Sequence, residues 1–327
     1  MLHVLGIIAP MFLLLGVGMA ASFSERFRSA QPGLNAFVFY FSLPAFIFIA
    51  VANAPLNDGV PLAFIAISLG VTALVFAIAY LGAIAINRVR KRPDDVAGVA
   101  PGAFAIASTY GNVGYLGVPI VLSVLGPEAA LGAALGQLLH NVLFMVGYPL
   151  MKTLGRETRA RAAGGIGMLL WRVAKRSVVF NPVVLSVVAG VIVGVTEVRP
   201  PAVITASIEM LGNAAIPTAM FAVGLTIKPA WEGFRTRSVS PGGVAVATVL
   251  KLAVLPLATL AAVLLMGDAL SPQWGAAAVI MAAMPVSSTA NIVAFEYDGD
   301  SRLVGATTLV TSVLAVATIP LIIGLLG

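Results

Sequence analysis

Ten apolar runs separated by short polar connections follow one another from residue 2 to residue 326. They lie at 2–21, 33–52, 61–86, 97–125, 128–151, 178–196, 200–227, 243–266, 273–295 and 302–326. Each approaches or exceeds the roughly 20 residues that carry a helix across a hydrocarbon layer about 30 Å thick. Only 10% of the residues are charged, whereas a soluble domain has about 25%, so the chain cannot coat a water-facing surface. That excludes a soluble enzyme. It also excludes a water-soluble nucleic-acid binder, despite the net charge of +6, and no nucleic-acid partner is expected. In lipid the backbone must satisfy its own hydrogen bonds, so the runs are read as helices and the fold as an all-α polytopic membrane protein.

The chain contains no cysteine, hence no disulfide, no thiolate metal site and no cysteine nucleophile. His3 and His140 make no metal-ligand spacing, so neither a metal nor a cofactor is expected. The first run has no Lys or Arg before it and is long for a signal sequence, so it is read as a retained span. Basic residues fix the orientation. Seventeen of the 19 Lys and Arg residues fall in the connections after runs 1, 3, 5, 7 and 9, whereas Arg199 stands alone on the opposite side and Lys251 lies inside run 8. By the positive-inside rule both termini face outward and the long basic loop 152–177 is cytoplasmic, as in a bacterial inner-membrane protein. Its stretch Met168–Arg172, followed by Lys175 and Arg176, reads either as an amphipathic helix on anionic lipid or as a plain topology-setting loop.

The two halves echo each other at an offset of 172–173 residues: Pro10 with Pro182, and Leu43-Pro44 with Ile216-Pro217. Five spans per half is an odd number, so the second copy enters the membrane inverted, an architecture shared by many secondary transporters. The units are residues 1–151, the loop 152–177, and residues 178–327. Runs 4 and 9 are interrupted at corresponding places. Run 4 reads Ser108-Thr109-Tyr110-Gly111-Asn112-Val113-Gly114-Tyr115-Leu116-Gly117-Val118-Pro119, and run 9 reads Met284-Pro285-Val286-Ser287-Ser288-Thr289-Ala290-Asn291. Glycine and proline there penalise a continuous helix. Freed backbone groups are tolerated at membrane depth where they are buried in protein or line a wet cavity. Two broken helices meeting near the midplane offer helix N-termini to an anion. Asn112, Ser287, Ser288, Thr289 and Asn291 add side-chain hydrogen bonds, and the breaks themselves contain no charge.

Further polar groups inside the spans are Gln137, His140 and Asn141 in run 5, Glu209 in run 7 and Lys251 in run 8. An ionisable group at the bilayer centre costs at least about 2.5–3.5 kcal/mol, so each is expected to face a partner or a cavity. Gln137, His140 and Asn141 share a helix face that points to the breaks of their own repeat. Glu209 and Lys251 form either a structural ion pair or part of a coupling site, and His140 is a candidate proton carrier.

Asn112 followed by Gly117-Val118-Pro119 resembles the first crossover of the auxin efflux carrier family, which includes plant carriers and bacterial transporters of malonate and similar acids. Leu43-Pro44, Ile216-Pro217 with Phe221-Ala222-Val223-Gly224, and Met284-Pro285 with Glu296-Tyr297 extend the resemblance over nearly the whole chain. It implies ten transmembrane helices in two inverted repeats with broken crossover helices 4 and 9, a fold like that of sodium/proton antiporters and bile-acid symporters. It implies a scaffold of spans 1, 2, 6 and 7, a transport domain of spans 3–5 and 8–10, elevator-type movement and a homodimer. The implied ligand is a small carboxylate such as malonate, held near Asn112, Gly114, Tyr115, Pro119, Gln137, Asn141 and the Pro285–Asn291 crossover, with a proton or sodium ion as the possible coupling partner. The sequence departs from many bacterial relatives at Thr289, where they have Asn, and from plant carriers at Ala290, where they have a second proline.

A cation/proton antiporter or cation-coupled symporter of the same fold is the alternative, but antiporter sites need carboxylates at the crossover. An intramembrane aspartyl protease needs two aspartates at depth, whereas Asp298 and Asp300 lie at a span end. The absence of native cysteine makes the topology directly testable. Single cysteines introduced within 152–177 should react with a membrane-impermeant maleimide only after the cytoplasmic face is opened, and labelling from outside would reverse the orientation.

Overall fold

The computed structural model describes residues 2–53, 59–89, 100–148, 151–152, 182–196, 198, 200–225, 228, 239–298 and 302–326, with only the backbone described at 2–8, Phe12, Val146, Val183, Ser288, Ile292, Phe295 and Glu296. The basic loop 152–177 lies almost entirely outside these residues. Among them the chain is helical, with no strand longer than a single bridge. In order the helices are α1 (Leu2–Ala21), α2 (Glu25–Ala52), α3 (Leu62–Val89), α4 (Pro101–Thr109) and α5 (Val113–Leu125). Next come α6 (Ala130–Asn141, prolonged by a π-turn over Val142–Gly147), α7 (Pro182–Thr196), α8 (Ala202–Leu225) and α9 (Pro241–Ala269). The chain closes with α10 (Pro272–Ala282), α11 (Ser288–Asp298) and α12 (Arg302–Gly324).

Five of these (α2, α3, α8, α9 and α12) are long and apolar enough to cross a membrane, and α1, α5 and α7 contain shorter apolar helices. With 28 residues, α3 extends about 42 Å. Most of its outward side chains are apolar, as are most of those of the other peripheral helices; Val203 is 78% and Leu265 84% exposed. An apolar exterior of this kind requires lipid rather than water. The chain is a polytopic membrane protein.

Prolines explain most irregularities within the helices. Pro44, Pro119 and Pro256 each follow by two residues the end of a π-turn, at Val38–Ser42, Val113–Gly117 and Leu250–Val254. Pro149 stands at the same offset from the π-turn of α6. A proline removes one backbone donor and clashes with the carbonyl one turn back, and the wider π-turn gives that carbonyl room. Lys251 lies inside the third of these turns, where side-chain directions depart from regular helical spacing, which matters below.

Packing divides the helices into two groups. In the first, α1 lies along α8, while α7 and α8 both pack on α2. In the second, α3, α4, α6, α9, α10, α11 and α12 surround the two interruptions. A buried cluster including Ala79, Ile106, Tyr110, Phe144, Ala247, Val286, Val293 and Val304 belongs wholly to the second group. Another, which includes Met11, Ile47, Leu116, Met220, Ile280 and Ile319, joins the two groups. The α1–α8 contact depends on two glycines. A Cβ on Gly224 would stand 2.7 Å from the Met19 backbone nitrogen and 2.8 Å from the Gly18 Cα, and one on Gly18 would stand 3.1 Å from the Gly224 Cα. Small residues are what allow helix backbones to approach this closely in membranes.

Overpacking of that contact sets a stability prediction. Gly224→Val should destabilise the protein by about 1–3 kcal/mol, read as a lower melting temperature in detergent. Gly16→Ala, on the same helix as Gly18 but with nothing within 4 Å of an added Cβ, should leave stability unchanged or slightly raised.

Candidate functional site

Helix α4 ends at Thr109 and α5 begins at Val113; α10 ends at Ala282 and α11 begins at Ser288. Between these ends two extended segments cross, and they pair. Gly111 and Val286 form an antiparallel bridge, with the Asn112 N–H donating to the Pro285 carbonyl at 2.7 Å and the Ser287 N–H to the Tyr110 carbonyl at 2.9 Å. The remaining donors of the crossing are met by side chains. The Gly111 N–H donates to His140 Nε2 at 3.0 Å and the Val286 N–H to Thr311 Oγ1 at 3.1 Å. Without such partners each group would cost several kcal/mol in a lipid-surrounded interior.

The start of α5 is different. Among the described residues the backbone N–H groups of Val113, Gly114 and Tyr115 have no acceptor. Beside them stand two buried amides: Asn112 is 6% exposed and Gln137 2% exposed, and Asn112 Oδ1 and Gln137 Oε1 have no hydrogen-bond partner. Gln137 reaches this point from α6 because Gly114 leaves room, since a Cβ there would meet Gln137 Nε2 at 2.7 Å. A helix N-terminus with free N–H groups and a positive dipole end suits a carboxylate. Each amide turns about its last bond to offer either NH₂ or C=O, so the pair can present donors to the same ligand.

His140 is held in place by its ring contacts with Tyr110 and Phe144, at centroid distances of 5.3 and 4.8 Å. Because Nε2 accepts a hydrogen bond from Gly111, the imidazole here is neutral, with its proton on Nδ1. Lys251 enters the crossing from the π-turn of α9 and is fully buried. Its ammonium donates at 2.7 Å to the Ala282 carbonyl, which ends α10, and would lie 3.1 Å from a Cβ on Gly111. Lys251 and His140, with Ser68, Thr72, Thr259 and Met281, line a cavity of about 30 Å³, room for a water molecule.

The geometry corrects one expectation and adds to two others. Glu209 and Lys251 do not pair: Glu209 is an exposed residue of α8, whereas Lys251 is buried and donates to the Ala282 carbonyl. Nor is the crossing free of charge, because Lys251 brings a cation to it from another helix. Asn291 turns away, its Nδ2 donating to Thr308 Oγ1 of α12 at 3.4 Å.

Of the other residues singled out, Pro119 and Pro285 are buried, Ser287 Oγ accepts from the Thr289 N–H at 3.2 Å, and the Tyr115 hydroxyl donates weakly to the Asn35 carbonyl of α2 at 3.4 Å. Asn141 is half-buried on α6, and the Ser288 side chain lies outside the described residues. Sequence reasoning missed Thr311, although its signal was there: Thr307, Thr308, Thr311 and Ser312 form two pairs at four-residue spacing inside run 10. Glu209 instead lines a second cavity of about 350 Å³ between α2, α8 and the end of α5, together with Phe46, Asn53, Leu122 and Asn213. Asp298, with its carboxylate engaged by Tyr148 and Lys152, is a structural anchor for the end of α11.

Residues 3–323 match the model of a family described as membrane transport protein. A Rhizobium meliloti (strain 1021) protein named "Putative malonate transporter" is 30% identical over 321 residues, covering 98% of this chain and 94% of that one. A protein of Methanothermobacter thermautotrophicus (strain Delta H) named "Uncharacterized transporter" is 28% identical over 289 residues, covering 88% and 86% of the two chains. With both relatives named as transporters and the family match spanning nearly its whole length, the chain belongs to the membrane transport protein family, that of the auxin efflux carriers, and is a transporter rather than an enzyme.

Proposed function

We propose that this protein is a secondary transporter of a small carboxylate, of which malonate is the first candidate. The observation that carries the reading is the group of unsatisfied polar atoms at the start of α5: three free N–H groups beside the buried amides of Asn112 and Gln137. Buried polar groups are normally paired, so a set left open in one place marks a ligand position. The similarity to a protein named for malonate transport gives the substrate class a second, independent support.

The charge at the crossing argues for an anion over a cation. A cation/proton antiporter of the same fold would need a carboxylate there, and among the described residues the charged side chain at the crossing is Lys251. Ten spans in two inverted five-helix repeats fit the matched order of interruptions. The group α1, α2, α7 and α8 corresponds to spans 1, 2, 6 and 7 and would be the scaffold; the helices around the crossing would be the moving transport domain. The cavity of about 350 Å³ lies where these groups meet, the location an access path would need. A homodimer built on the scaffold, both termini outward in the inner membrane, and coupling to a proton or to sodium complete the proposal.

Purified protein in proteoliposomes should accumulate labelled malonate or malate more readily than indole-acetate, tested with imposed potential, pH and sodium gradients in turn. Removing one buried hydrogen bond to a charged ligand costs about 1.5–3 kcal/mol, so Asn112→Ala and Gln137→Ala should each lower carboxylate affinity roughly 10- to 100-fold. If no carboxylate moves, or if both variants transport like the parent, the site is elsewhere.

A further inference from the structure

Lys251 is a fully buried cation with one neutral partner. Its ammonium has three donors, one of which is used by the Ala282 carbonyl. No carboxylate lies within 4.0 Å of it among the described residues. The neighbouring cavity adds hydroxyls from Ser68, Thr72 and Thr259, and those of Thr72 and Thr259 donate to carbonyls of their own helices. An isolated ammonium in such surroundings is costly, and only two events relieve it: the amine gives up its proton, or an anion arrives.

The arriving anion has a place close by. Gly111, against which the ammonium lies, is the residue before Asn112, and consecutive Cα atoms are about 3.8 Å apart. A carboxylate held by Asn112 and the first N–H groups of α5 is therefore within about 10 Å of Lys251 Nζ, with protein rather than bulk water between them. Unlike charges at that separation in a poorly screened interior stabilise each other. By linkage, whatever holds the anion then also holds the proton, and the reverse.

We propose that Lys251 couples proton binding to carboxylate binding, so that the carrier crosses with one proton on Lys251 for each anion bound. This rests on the carboxylate reading above and names its coupling ion. The step is a simple proton transfer. The lone pair of the neutral Lys251 amine takes a proton from water on the open side, while the substrate stays a carboxylate. When the anion leaves on the other side, the ammonium returns that proton to water. A monocarboxylate then moves without net charge, and a dicarboxylate moves with one negative charge. Among the described residues the other titratable group lining the cavity at Lys251 is His140 from α6, held neutral by the Gly111 N–H. Helix α3 brings Ser68 and Thr72 and α10 its Ala282 carbonyl, while α4 and α12, which also pack on the π-turn of Lys251, have serines and threonines but no charged residue among their buried side chains, so none of these four supplies a competing charge.

Capping the end of α10 is a structural role Lys251 would also fill, and proton counting separates the two. Malonate binding to the purified full-length protein is measured calorimetrically in buffers of different ionisation enthalpy at about pH 8, where malonate itself is a dianion and takes up no proton. The parent protein should take up close to one proton per malonate wherever Lys251 is neutral in the empty carrier, its affinity falling up to tenfold for each unit rise in pH. Lys251→Arg, which keeps the charge permanently, should bind malonate with no proton uptake and little pH dependence. Lys251→Met should lose both the uptake and at least tenfold in affinity, whereas His140→Gln should keep the uptake. The proposal is overturned if the parent binds malonate without taking up a proton at any pH between about 5 and 9. It is equally overturned if Lys251→Arg takes up as many protons as the parent, or if His140→Gln alone abolishes uptake. A parent protein that binds no carboxylate at all instead removes the carboxylate reading, and this coupling with it.

Discussion

Everything at the centre of this protein depends on a bridge two hydrogen bonds wide. Where α4/α5 and α10/α11 are interrupted, the exposed backbone would be intolerable in lipid, and the two interruptions solve the problem for each other through Asn112 N–H to Pro285 and Ser287 N–H to Tyr110. Both breaks are required, since the Asn112 and Ser287 donors find their acceptors in each other's segment. The residues around the bridge follow from it. Gly111 admits both the partner strand and Lys251, His140 must present a bare nitrogen, and Thr311 must sit on α12 at the height of Val286. Only after these donors are satisfied does the unsatisfied start of α5 become conspicuous.

That remainder has an electrostatic logic. Helix α5 points its N-terminus at the open position, while α10 ends on the carbonyl that Lys251 caps. A positive dipole end and an ammonium thus stand on one small region with no carboxylate beside them, where mutual repulsion is relieved only by an anion or by loss of a proton. A site that held a fixed carboxylate would bind cations and would repel the proposed substrate. Replacing it with a lysine reverses the preference without changing the backbone that builds the crossing.

How much of this was legible in the sequence depends on which physical signal each residue carries. The interruptions were readable at Gly111, Gly114, Pro119 and Pro285, because glycine and proline act on the local backbone wherever they occur. The membrane class followed from apolar runs alone, and Gln137 and His140 could be placed by helical spacing. Lys251 could not. It lies within the π-turn Leu250–Val254, where side-chain directions depart from regular helical spacing, and the Ala282 carbonyl and Gly111 that meet it come from other spans. Opposite charges in neighbouring spans suggest a pair for Glu209, but α8, in the first group, carries it to an exposed position on the cavity between α2, α8 and the end of α5. The direction of Asn291 was no more legible. Its amide lies three residues into α11, where the turn of the helix faces it to Thr308 instead of the crossing. In each case the missing information was rotation about a helix axis, which composition and spacing specify only when the helix is regular.

The hydrogen bonds at the crossing also bear on how such a site could move. The crossing is stitched to α6 through His140, to α9 through Lys251 and to α12 through Thr311, so its geometry is fixed from three directions within one group of helices. Contacts to the other group are of a different kind: a weak bond from Tyr115 to α2 and apolar packing such as Leu116 with Met220 in the shared cluster. Directional hydrogen bonds resist displacement, whereas apolar surfaces can slide and re-form at similar cost, since packing is non-directional. If alternating access occurs here, physics favours moving the crossing as a rigid unit with its satellites over rebuilding it on each cycle. Breaking the bridge would expose at least four backbone groups in a dry interior, and that cost would recur with every turnover.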